Sequence, residues 1–123
     1  MRREDDEAGR DDRVRFEHML TAARDARSFV SGRKREDLEV DPMLRRALKD
    51  CIQEIGEAAR RISDFGQDRA PDLPWTKIVG MRHILVHAYF EIDLDTLWKV
   101  AIENVPSLIA ALDEVLAKWP DLD

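Results

Sequence analysis

The chain has 123 residues, 44% hydrophobic and 37% charged, with only 5 glycines and 5 prolines; it is one domain, too short for two and too poor in turn formers for a sandwich or barrel. Its formal net charge of −6 excludes a protein that coats duplex nucleic acid through a general positive field, so any phosphate contact must come from a local basic site. A lone cysteine, Cys51, excludes an intramolecular disulfide and a cysteine-based zinc site and points to a reducing, cytoplasmic setting. With an acidic N-terminus and no apolar run of membrane-spanning length, neither secretion nor a membrane partner is expected.

Residues 1–12 hold six acidic side chains and three arginines and are expected to form a disordered acidic tail. Residues 13–119 follow as a helical-bundle domain, and residues 120–123 as a short C-terminal tail. Val14, Phe16, Met19, Leu20, Ala23, Ala26, Phe29 and Val30 recur at helical spacing, which predicts a first helix from about Asp12 to Val30 with one buried face. Gly32 is a plausible residue just past its C-terminus, and Arg33, Lys34 and Arg35 fit a solvated connection better than a nucleic-acid site. Asp41 supplies an N-cap oxygen and Pro42 a preset first turn for a second helix, whose apolar stripe from Leu44 to Ile62 is expected to end at Gly66. After a proline-containing loop, Trp75 starts or precedes a third helix running to about Phe90. Asp93 caps a fourth, which Pro106 should kink or divide. The expected architecture is all-α, an up-and-down bundle of four to five helices.

The third helix is the informative one. On a helical wheel Met81, Ile84, Leu85 and Ala88 share a core-facing arc, while Arg82, His83, Val86, His87, Tyr89 and Phe90 occupy the rest. Large apolar side chains on a second face ask for cover, which predicts a homodimer with Val86 and Phe90 in the interface. Arg82 and His87 stand about 7.5 Å apart along the axis at a rise of roughly 1.5 Å per residue. A permanently charged fork and an imidazole titrating near neutrality can together grip a phosphate and move a proton. His83 and His87 have the i, i+4 spacing of a zinc pair, but no third ligand is nearby in sequence, so no metal or other cofactor is expected.

The run from Gly80 to Asp93, with Arg82, His87 and Tyr89 in the order Arg-x4-His-x-Tyr, resembles the motif of HepT-like toxins, a branch of the HEPN ribonuclease superfamily. Ile55-Gly56-Glu57-Ala58-Ala59, Leu73-Pro74-Trp75 and Trp98 stand where similar proteins have their counterparts, so the resemblance spans about residues 12–118. It implies a dimeric HEPN-type bundle acting as a metal-independent endoribonuclease on an RNA substrate. In that family's terms His87 activates the ribose 2′-hydroxyl and Arg82 stabilises the phosphorane, giving 2′,3′-cyclic phosphate ends. His83, in place of the commoner asparagine, and Glu57 are implied as supporting residues. The resemblance also implies a cognate MntA-like nucleotidyltransferase antitoxin that attaches AMP to Tyr89, the arrangement of a type VII toxin–antitoxin system. The competing expectation is a non-catalytic HEPN module that binds a nucleotide or docks a nucleotidyltransferase. The intact Arg82, His87 and Tyr89 set favours catalysis, because a docking module has no need of a titratable base beside an arginine.

Overall fold

The structure, a computed structural model, describes residues 3–86 and 93–119, with side chains for 7–81 and 93–119. Its elements, in chain order, are α1 (Arg3–Val30), α2 (Asp37–Val40), α3 (Pro42–Arg60), α4 (Asp64–Asp68), α5 (Trp75–Val86), α6 (Leu94–Lys99), a π-helical turn (Val100–Asn104) and α7 (Val105–Ala117). No strand occurs among the described residues, as expected for an all-α bundle, and no described helix is long and apolar enough to cross a membrane.

The long α1 is the axis of the fold, packing against both α3 and α7, while α5 packs on α3. Its buried face is rich in alanine, with Ala22, Ala23 and Ala26 set among Phe16, Met19 and Val30. The small residues let neighbouring helices approach closely, and the larger ones fill the space between them. Phe16, 0% exposed, meets Trp75 and Trp119 edge-on with ring centroids 5.8 and 5.3 Å away, an arrangement favoured by the ring quadrupoles. α1 and α7 are antiparallel, since Phe16 meets Trp119 while Arg24, further along α1, donates to Asp113 at 2.7 Å.

The caps that depend on local sequence form as expected. Gly32 takes the left-handed conformation at φ 73° just past the end of α1, and Asp41 accepts from the Leu44 N–H at 3.1 Å to open α3.

Other expectations are corrected by long-range contacts. α1 begins at Arg3 rather than near Asp12, because Asp12 is a buried latch, 2% exposed. Its carboxylate accepts from the Ser63 N–H at 2.8 Å and from the Ser63 hydroxyl, securing the chain at the entry to α4. The second long helix ends at Arg60, and Gly66 lies inside α4 instead of terminating α3. A Cβ at Gly66 would fall 2.5 Å from the Ile62 side chain and 2.8 Å from the Asp12 carboxylate, so glycine is required there by close approach. Val14 and Phe29, expected on the buried stripe, are 44% and 40% exposed; at about 100° per residue Val14 falls opposite Ala23 on the wheel. Pro106 acts upstream of itself. Lacking an N–H for the carbonyl four residues earlier, it is preceded by a π-helical turn and then serves as the first-turn proline of α7.

Two of these buried groups have measurable consequences. Asp12→Ala leaves the part-buried Ser63 N–H without its acceptor and is expected to lower the unfolding free energy by about 2 kcal/mol, seen as a lower urea midpoint at unchanged m-value. An unshifted midpoint would show that the latch adds nothing. Cys51, 4% exposed, has its thiol pushed up to about 11, first by burial and then by the charges of Asp25, Glu54 and Asp50. It is expected to resist iodoacetamide at mildly alkaline pH in the native protein and to react fully in urea, as mass spectrometry would report.

Candidate functional site

α5 carries the first part of the motif, and its start is held by contacts with α1 and the loop before it. At its start the Trp75 indole N–H donates to the Ala70 carbonyl at 2.9 Å, and the ring packs on Phe16. Phe16 lies one helical turn beyond Asp12, whose carboxylate holds Ser63 just past the end of α3. α5 therefore begins beside the C-terminal end of α3, packs on that helix and runs back towards its first turns.

Beyond the motif the chain is described again at Asp93, which opens α6 by accepting from the Thr96 N–H at 3.1 Å and hydroxyl at 2.7 Å. Those two bonds, the hydroxyl's first, hold the Asp93 carboxyl below the usual carboxylate range. In the same turn Asp95 accepts from Arg35 at 2.6 Å, and Arg35 also pairs with Glu39 of α2 at 2.8 Å. α2 in turn packs on α3, and Arg45 donates to its Leu38 and Glu39 carbonyls at 2.7 and 3.1 Å. The segment that follows the motif is thus anchored at the end of the bundle where α3 begins, and α5 starts at the other.

The backbone of Arg82, His83 and Val86 is helical and belongs to the last turns of α5. His87, Tyr89 and Phe90 lie outside the described residues, as do the side chains of Arg82, His83 and Val86; so do the expected core contacts of Ile84, Leu85 and Ala88. Upstream, Trp75 packs against the core at the start of α5, and Ile78 is buried. Glu57 sits half-exposed on α3, where it accepts from Arg60 at 2.9 Å and lies 3.5 Å from Arg61. It borders a groove between α1 and α3 with Arg15, His18 and Arg61. Among the described residues no three His, Cys, Asp or Glu side chains gather as a metal site would require.

The basic run between α1 and α2 is structural at two of its three positions. Arg33 donates to Asp37 at 3.2 Å and to Asp41 at 2.7 Å, which raises its pKa, Asp41 contributing most, and Arg35 ties α2 to α6. Read only for its apolar stripe, the sequence of α3 conceals a second pattern. Arg46, Lys49, Gln53 and Arg60 fall within about 60° of one another on the wheel, and Asp50, Glu54, Glu57 and Arg61 within the next 60° or so. The second group borders the α1 groove through Glu54, Glu57 and Arg61. On the opposite flank of the helix Ile52, Gly56 and Ala59 are buried.

Comparison with known proteins agrees with the motif. The family model described as ribonuclease HepT-like matches residues 19–115. The Methanocaldococcus jannaschii protein named "Putative RNase MJ1380" is 36% identical over 90 residues, covering 73% of this chain and 83% of its own length. "Putative RNase TTE0752" of Caldanaerobacter subterraneus subsp. tengcongensis is 31% identical over 103 residues, 84% of this chain and 92% of that one. "Probable ribonuclease HepT" of Thermococcus cleftensis is 37% identical over 73 residues, 59% of this chain and 66% of its own. No solved structure gives a significant match.

Proposed function

Because the chain belongs to the HepT-like ribonuclease family, we propose that it is a metal-independent endoribonuclease, the toxin of a type VII toxin–antitoxin pair, silenced by AMP transfer to Tyr89. The observation that carries this reading is that the family match over residues 19–115 contains the complete set of Arg82, His87 and Tyr89. The relatives named as RNases support the same substrate class.

In the proposed reaction His87 takes the proton of a ribose 2′-hydroxyl as its oxygen attacks the adjacent phosphorus. The bond to the 5′-oxygen breaks, and that oxygen leaves with a proton from solvent. Arg82 places a fixed positive fork where charge gathers on the phosphorane oxygens, the point at which such a group lowers the barrier most. The products are a 2′,3′-cyclic phosphate and a 5′-hydroxyl. His83 and Glu57 are supporting residues that orient the motif. Two copies of the chain pair across Val86 and Phe90, bringing two motifs into one cleft and concentrating positive charge that a single acidic chain lacks.

Incubation of the purified protein with a synthetic single-stranded RNA in EDTA tests the reading. Fragments with cyclic phosphate ends are the expected result. Intact RNA, or cleavage that chelator abolishes and zinc restores, would overturn it, the latter in favour of a His83 and His87 metal pair.

A further inference from the structure

The basic run Arg33-Lys34-Arg35 takes no part in the proposed chemistry. Yet its last member makes, among the described residues, the only side-chain hydrogen bond or ion pair between α6 and another element of the fold. The Arg35 side chain, 28% exposed, reaches in two directions: Nη1 lies 2.8 Å from a Glu39 carboxylate oxygen of α2, and Nε donates to Asp95 of α6 at 2.6 Å. A planar guanidinium holds two carboxylates in fixed directions, which the single flexible point charge of an ammonium does not. The corner on which it stands is itself braced. Arg33 is tied to Asp37 and to Asp41, the N-cap of α3, and Arg45 donates to two carbonyls of α2.

What α6 follows in the chain gives this contact its importance. Residues 87–92 join Val86 of α5 to Asp93, the N-cap of α6, and include His87 and Tyr89. Tyr89 is four residues from Asp93, at most about 14 Å of chain at 3.3–3.6 Å per residue, so a shift in the opening turn of α6 is passed directly to the motif. Buried Leu97 keeps α6 on the core, but apolar contact is non-directional, whereas the pair to Asp95 fixes where that turn sits. We propose that Arg35 is a positioning residue of the ribonuclease site, clamping the α6 end of the motif segment by bridging Asp95 to Glu39. The inference rests on the ribonuclease reading above and adds to it how the second half of the motif is held. A misplacement of about 1 Å at reacting atoms is enough to slow a reaction strongly. Because Asp95 is 80% exposed, the clamp has the strength of a partly exposed ion pair, which limits the effect of losing it to about fivefold.

The test compares the wild type with Arg35→Ala, Asp95→Asn, the double variant carrying both, and Arg24→Ala. The last breaks a pair of the same kind, Arg24 with Asp113 at 2.7 Å, between α1 and α7. For each protein kcat and KM are measured on a synthetic single-stranded RNA, beside thermal unfolding and hydrogen–deuterium exchange of peptides covering residues 87–99. Arg35→Ala and Asp95→Asn change the net charge in opposite directions, yet each is expected to lower kcat about three- to fivefold, to speed exchange in those peptides and to move the melting temperature by no more than a few degrees. The double variant should be no slower than the slower single one, because both substitutions remove the same interaction. Arg24→Ala should match the wild type in kcat and in exchange. Wild-type kcat in both Arg35→Ala and Asp95→Asn would overturn the clamp and leave the ribonuclease reading standing. So would a raised KM at unchanged kcat in Arg35→Ala alone, which would make Arg35 a substrate contact, or an equal loss of kcat in Arg24→Ala, which would reduce the effect to general stability. A wild type that cleaves no RNA would overturn the ribonuclease reading and the positioning role with it.

Discussion

His87→Ala and Arg82→Ala are each expected to reduce RNA cleavage by at least about a hundredfold while shifting the melting temperature by no more than a few degrees. The two halves of this expectation have different origins. The kinetic half follows from the proposed chemistry: without His87 the 2′-hydroxyl loses its proposed general base, and without Arg82 the phosphorane oxygens lose their bidentate partner. The stability half follows from where α5 gets its hold. Its docking is secured upstream of the motif by Trp75 on Phe16, the Ala70 hydrogen bond and buried Ile78. Rate constants under single-turnover conditions, read beside thermal unfolding of the same samples, check both halves. Retained cleavage in either variant would remove that residue from the chemistry. A collapse of the melting transition would instead make it a structural residue.

What the sequence could and could not announce divides along the range of the interactions involved. Gly32, Asp41 and Asp93 were legible because a cap is decided within four residues, and all three act as the local pattern requires. The start of α1 was not, because the acidic opening segment looks unable to offset its own ordering until Asp12 finds Ser63, fifty-one positions away. Gly66 misled for the same reason. A glycine after an apolar stripe is normally a helix stop, whereas this one is demanded by the Asp12 and Ile62 side chains pressed against it. Val14 and Phe29 fit a loose three- or four-residue recurrence, yet strict 100° spacing already sets Val14 opposite the alanine face. Pro106 gave the site of the disruption, and its form, a π-helical turn, follows from the missing N–H. As for the site, the helical backbone through Arg82 and His83 is what Arg-x4-His spacing requires. Glu57 could not be placed from sequence, since its partners Arg60 and Arg61 suit both a supporting role and an ordinary helix-surface pair.

Tyr89→Phe is expected to yield a protein that still cleaves RNA, and still inhibits growth, in the presence of a nucleotidyltransferase that silences the wild type. On a continuous helix the seven residues from Arg82 to Tyr89 amount to nearly two turns at 3.6 residues per turn, which sets the two side chains on one face. In the proposed transfer the Tyr89 phenol oxygen attacks the α-phosphorus of ATP, pyrophosphate leaves, and a phosphodiester with one negative charge remains beside the Arg82 guanidinium. That charge engages the fork in place of substrate phosphate, and the bulk of the nucleoside excludes the RNA strand. Phenylalanine keeps the ring and its packing but offers no oxygen, so the variant separates loss of modification from loss of structure. Intact mass after co-expression decides the point: the wild type should gain AMP and lose cleavage together, while Tyr89→Phe gains no AMP mass and retains its activity. Equal mass gain in both proteins would move the modification to another residue. A wild type that gains AMP yet cleaves as fast as before would detach the modification from silencing altogether, because a phosphodiester against Arg82 cannot leave phosphate binding there unchanged.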